Sequence, residues 1–268
     1  MPRVDVDGLT FNYEVQGEGE PLLLIPYLSA DHACYAFQLP DYTVHFSCIA
    51  IDLPGSGESD KPSGPYSTEG QADEVAAFLD AIGIEQAHVA GMSFGAAVGM
   101  HLAARHPGRV RSLSLHSPWH ASDDYLKIVV EQWRTLARSL PTVADVVIQG
   151  IFPWCFTPDM YAERPEFVDT LVDFVRSRPV QPVDAFLAQT DAVLAHDASA
   201  ALGDIDVPTL ITFGARDLVC STRFAEPLNS AITGSELVVF DHLSHAGLHE
   251  DSETFNRATL DFLLRQRS

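Results

Sequence analysis

Short apolar runs and amphipathic stretches alternate along most of this chain, and their order predicts its architecture. "VDVDGLTFNYEV" alternates apolar and polar positions around Asp7-Gly8, which predicts two antiparallel strands joined by a tight turn. "PLLLIP" (21–26) and "TVHFSCIAID" (43–52) are apolar enough to be buried strands, and the second runs into the turn-rich "LPGSGESDKPSGP". From Thr68 to Ile82 the period changes. Val75, Phe78, Leu79 and Ile82 share one helical face. Then follow the strand "AHVAGM", a helix after Ser93 and the strand "VRSLSLHS" (110–117).

Strands alternating with helices imply a mostly parallel sheet covered on both faces. The rhythm breaks after Trp119. From Ala121 to Gly203 the chain reads as helical and irregular, with Trp133, Trp154, Phe156 and Phe186. It resumes with "VPTLITFGARD" (207–217) and "ELVVFD" (236–241), and closes on the amphipathic "TFNRATLDFLLRQ". About eighty residues are thus expected to be inserted between two strands of the sheet.

Composition narrows the partners. Hydrophobic residues are 46% and charged residues 20% of the 268, ordinary for a globular protein. A formal charge of −21 repels phosphate backbones and argues against nucleic acid or an anionic membrane. No apolar run reaches a membrane span, and "MPRVDVDGLTF" lacks the apolar core of a signal peptide, so the expected location is the cytoplasm. Cys34, Cys48, Cys155 and Cys220 are scattered, without a CxxC pair, and read as free thiols.

The chemistry centres on "AGMSFGAA", where Ser93 stands between Gly91 and Gly95 at a strand-to-helix junction. A sharp turn there exposes the hydroxyl, and glycines are needed where a Cβ would meet backbone. The first turn of the next helix offers free N–H groups to developing negative charge. The plainer reading is an ordinary serine capping a helix. A nucleophilic serine also needs a base and a group to orient that base. In chain order, Asp217 follows one buried strand, and His242, His245 and His249 follow the next.

With these pieces the chain resembles the α/β-hydrolase superfamily over nearly its whole length. The matching stretches are "LLLIPYLSADHACY", "AIDLPGSGESD", "HVAGMSFGAAVGMHLAARHPGRVRSLSL", "IDVPTLITFGARDLV" and "HLSHAGLHEDSETFNRATLDFL". The resemblance implies a mostly parallel eight-stranded sheet with helices on both faces, a core of residues 1–120 and 204–268, and a helical cap of 121–203. It implies Ser93 as nucleophile, Asp217 as acid and His245 as general base, the histidine being followed five residues later by Glu250. It also implies an oxyanion hole from the N–H groups of Leu28 and Phe94. One departure stands out: where the family usually has His-Gly, this chain has Pro26-Tyr27.

The implied activity is that of a cofactor-independent serine hydrolase acting on a small, largely apolar ester or lactone. A carbon–carbon bond hydrolase with the same triad and a ligand-sensing protein on the same fold are the alternatives. "GSGES" lacks the residues of a nucleotide loop, His101 and His106 lack a metal-site frame, and His242, His245 and His249 could hold a metal only by giving up the triad, so no metal or cofactor is expected. The assembly expected is a monomer or homodimer. Tyr27, Trp119, Trp133, Phe152 and Trp154 are the candidates to line a pocket over Ser93; in the plainer reading the aromatic residues of the inserted segment are mostly its own core, with one or two facing the site. Tyr27 has two readings, a hydrogen bond to a polar group of the substrate or packing alone.

Overall fold

A computed structural model describes residues 1–267. Its eight strands are β1 (Arg3–Val6), β2 (Leu9–Gln16), β3 (Glu20–Ile25), β4 (Phe46–Ile51), β5 (Ala87–Met92), β6 (Val110–His116), β7 (Thr209–Gly214) and β8 (Glu236–Phe240). They form one sheet in the order β1-β2-β4-β3-β5-β6-β7-β8. The β1–β2 and β2–β4 pairs are antiparallel, and every pair from β4 through β8 is parallel. The Asp7-Gly8 turn closes the first hairpin with both residues at positive φ, 52° and 87°, the geometry that matches strand twist.

Alternation along the central strands builds two cores. On β3, Leu23 and Ile25 join the cluster under the helices Thr68–Ala81 and Phe94–Arg105. Leu22 and Leu24 join the opposite cluster, against Tyr42, Phe255 and Phe262. A strand buried on both faces has no polar alternation to show, which is why "PLLLIP" is apolar throughout.

Between β6 and β7 the chain is helical, in segments Asp124–Ala137, Val143–Val146, Phe152–Cys155, Pro158–Glu163, Pro165–Ser177 and Val183–Ala195. A π-helical turn, Val147–Ile151, joins the second of these to the third. In the first helix Leu126, Val129, Val130, Trp133 and Ala137 are buried, an i, i+3, i+4, i+7 stripe. The ends of the segment meet in a single bridge between Ala121 and Asp197. Among the described residues, no helix is long and apolar enough to cross a membrane.

Candidate active site

Ser93 directly follows β5 and precedes the Phe94–Arg105 helix, with φ 51° and ψ −114°. That conformation is uncommon for a residue with a Cβ and strains the turn. Its amide N–H donates to His116 O on β6 at 2.8 Å, which holds the turn against the sheet. The flanking glycines are required by close approach. A Cβ on Gly91 would lie 2.2 Å from Gly95 O, and one on Gly95 would lie 2.2 Å from Ile25 O. Only without those carbons can the helix start this close to the ends of β5 and β3.

The loops after β7 and β8 bring Asp217 and His245 to the same end of the sheet. His245 Nε2 is 2.9 Å from Ser93 Oγ, and His245 Nδ1 is 2.8 Å from Asp217 Oδ2. The carboxylate accepts only, so Nδ1 carries the hydrogen and Nε2 offers its lone pair to the serine O–H. The second oxygen, Asp217 Oδ1, accepts the N–H groups of Val219 at 2.7 Å and Cys220 at 3.1 Å. Asp217 is thereby locked by its own turn. The backbone of His245 is fixed as well, since Ser117 Oγ donates to His245 O at 3.0 Å. Among the described residues the amide N–H groups of Leu28 and Phe94 donate to no protein acceptor.

These groups open into a chamber of about 160 Å³. Its lining includes Ser93, Leu28, Phe94 and His245, with Leu126, Val130, Trp133, Val147 and Phe152 from the helical segment between β6 and β7. A second cavity of about 350 Å³ shares Tyr27, Leu28, Val147, Phe152 and Phe174 with it and is the more polar of the two, with Ser29, Asp31 and Arg178 in its wall.

The profile of the alpha/beta hydrolase fold family matches residues 19–252. The chain belongs to this family. It is 29% identical to RutD of Azorhizobium caulinodans, which carries a provisional carbamate hydrolase name, with 98% of each chain covered. It is 30% identical to a pimeloyl-acyl-carrier-protein methyl ester esterase of Neisseria meningitidis, covering 84% of this chain and 86% of that one. The crystal structure of the enol-lactonase from Burkholderia xenovorans LB400 superposes with a TM-score of 0.89 at 26% identity, over 98% of this chain and 100% of the other. The protein is a hydrolase.

In this α/β-hydrolase, four of the five aromatic residues expected at the pocket line it: Tyr27, Trp119, Trp133 and Phe152. Trp154 does not. Phe152, Cys155 and Phe156 follow the i, i+3, i+4 rule and share the inner face, whereas Trp154 is two positions from Phe152 and is carried to the other side of the turn. It is half-buried and packs against the core from outside the chamber.

His249 lies in the short helix Gly247–Glu250, four residues past His245. It is 7% exposed, lines the chamber, and its Nε2 meets Tyr27 Oη at 3.0 Å. Its spacing of four from His245 was the only sequence signal, and that spacing is equally common in surface helices. His242 is exposed and pairs with Asp251 at 3.0 Å. Glu250 binds backbone, accepting the N–H groups of Ser244 and Thr157, each at 2.6 Å.

"GSGES" wraps a buried carboxylate. Asp52 accepts from Glu58 N at 2.8 Å, Asn12 Nδ2 at 2.9 Å and His32 N at 2.7 Å, and pairs with His32 Nδ1 at 2.7 Å. Burial would raise its pKa, but the bonds from His32 outweigh that and hold it below the usual carboxylate range. Asp31, His32 and Asp52 bring ligand-type atoms within 4.8 Å of one another. Those atoms already bind each other and Arg178, whose Nε is 2.8 Å from Asp31 Oδ2. Of the four cysteines, Cys155 and Cys220 line the chamber. Burial, and then the Asp217 charge, push both thiols well up, so both stay protonated beside the serine.

Proposed function

We propose that this protein is a cofactor-independent serine hydrolase that cleaves a small, largely apolar ester or lactone through an acyl-serine intermediate. The observation that carries the reading is the hydrogen-bonded chain Ser93 Oγ–His245 Nε2 and His245 Nδ1–Asp217 Oδ2, opening into an apolar chamber. Ser93 Oγ passes its proton to His245 Nε2 and bonds to the acyl carbon. The carbonyl electrons move to an oxyanion held by the N–H groups of Leu28 and Phe94. When the oxyanion collapses, the bond to the leaving oxygen breaks and that oxygen takes the proton from Nε2. Water then gives a proton to His245 and attacks the acyl-serine, releasing the acid and restoring Ser93. Asp217 stabilises the imidazolium in both halves.

Residues 121–203 act as the cap that excludes water and shapes the acyl site. The names of the Neisseria esterase and the Burkholderia lactonase support an ester-type bond. The apolar wall supports a substrate with few charges near the scissile bond.

The test is a panel of aryl esters, alkyl esters, lactones and a diketone. Mass spectrometry of quenched enzyme follows, to find the acyl group on the Ser93 peptide. Turnover of esters or lactones with an acyl-Ser93 adduct is expected. Cleavage confined to the diketone, or an adduct at another residue, would overturn the reading.

A further inference from the structure

The loop after β3 and the turn after β8 bring together two polar side chains 222 positions apart, Tyr27 and His249. The Tyr27 and Phe37 rings pack on the imidazole in T-shaped contacts, at centroid distances of 5.9 Å and 5.8 Å. Burial pushes the His249 pKa down to about 4, so the ring is neutral at pH 7. Its Nδ1 is enclosed and has no partner among the described residues.

Proton counting then decides how the pair is arranged. A neutral imidazole has one N–H and one lone pair, and a phenol has one O–H. One hydrogen bond joins them, so one proton is always left over. If Tyr27 donates to Nε2, the spare proton sits on Nδ1, sealed away from any acceptor. If Nε2–H donates to Tyr27 Oη, Nδ1 keeps only a lone pair and the phenol O–H is free to turn into the chamber. Either way one donor lacks a protein acceptor among the described residues, but Nδ1 is sealed, whereas Tyr27 lines the chamber, where a ligand can reach its O–H. The second arrangement is the one a bound acceptor would favour.

We infer that Tyr27 and His249 form a donor subsite that recognises a second carbonyl oxygen on the substrate, separate from the scissile carbonyl. The inference rests on the ester or lactone reading above and narrows it to oxo-esters and oxo-lactones. Tyr27 adjoins Leu28, so the subsite lies beside the proposed oxyanion position. The wall around it is mostly apolar, and one donor in such a wall fixes orientation and selects strongly against analogues that lack its acceptor.

The experiment compares kcat/KM for matched pairs of nitrophenyl esters: pentanoate with 4-oxopentanoate, hexanoate with 5-oxohexanoate, and heptanoate with 6-oxoheptanoate. The wild-type chain should prefer at least one oxo-ester by about ten-fold, the worth of one hydrogen bond. Tyr27→Phe should bring that ratio to about one, through a raised KM or a lowered kcat for the oxo-ester. His249→Phe, which removes the group that turns the phenol, should lower the same ratio. A wild-type preference for none of the oxo-esters overturns the inference without needing any variant to fold. So does an unchanged ratio in Tyr27→Phe. If the wild-type chain hydrolyses no ester at all, it is the functional reading beneath the inference that has failed.

Discussion

The carboxylate of Glu250 accepts the amide N–H of Ser244, the residue before His245, at 2.6 Å. Its other oxygen accepts the amide of Thr157 at the same distance. One buried carboxylate therefore ties the histidine loop to the helical segment. Glu250→Gln keeps the shape but turns one acceptor into a donor, which then faces an N–H. The expected cost is about 1–3 kcal/mol, or a melting temperature lower by about 3–10 °C. His245 should lose its alignment, so kcat should fall more than KM changes. Thermal melts alongside steady-state kinetics check this, and an unaltered melt would mean that the tie carries no stability.

Ser93→Ala should abolish turnover and leave the fold. Among the described residues Ser93 Oγ bonds to His245 alone, and the strained turn is held by the backbone bond to His116, which alanine keeps. Stability should stay within about 1 kcal/mol of wild type. A serine-directed fluorophosphonate should label the wild-type chain at Ser93 and leave the variant unlabelled. Residual activity near the wild-type level would remove Ser93 from the mechanism.

The glycines of the turn should differ sharply from a third glycine in the same helix. Gly95→Ala sets a Cβ 2.2 Å from Ile25 O and 2.7 Å from Pro26 O, so the β3 end, with Leu28 behind it, must move. It should cost about 3 kcal/mol or more and most of the activity. At Gly99 the nearest atom to a new Cβ is Leu113 Cδ1 at 3.4 Å, an ordinary contact. There alanine should be neutral or should stabilise by up to about 1 kcal/mol through helix propensity. Chemical denaturation of both variants separates the two cases.

Acid should unfold the protein partly through its buried histidines. Burial pushes His116 to about 3 and His249 to about 4, and burial with the neighbouring His101 pushes His196 to about 3. All three are neutral in the folded chain and take up a proton near 6.5 when unfolded. The unfolded state then binds more protons, so this stability is complete above about pH 6.5 and is lost as pH falls toward the folded values. His116→Asn should flatten the dependence by up to about 1.4 kcal/mol per pH unit between about pH 6.5 and 5. Urea midpoints across that range test it; parallel slopes for the two chains would contradict it.

Most of the frame was legible in the linear sequence because it is set by local rules. Alternation around Asp7-Gly8 marks the first two strands, and apolar runs flanked by turn residues mark the other six. The strand-turn-helix context of Gly91, Ser93 and Gly95 locates the sharp turn, and chain order narrows the partners to Asp217 and three histidines. The resemblance implied His245 among them, and its Nε2 lies 2.9 Å from Ser93 Oγ. Tertiary packing decided what depends on the direction a side chain takes. Phe152 and Trp154 look equivalent in the sequence, yet one lines the chamber and the other packs outside it, because the azimuth of a short helix is set by what it lands on. Tyr27 and His249 lie 222 positions apart, and no local pattern announces that their polar atoms meet. Strand and turn formation are governed by neighbours in the chain, whereas a contact across the sheet ends exists only once every element between has been placed.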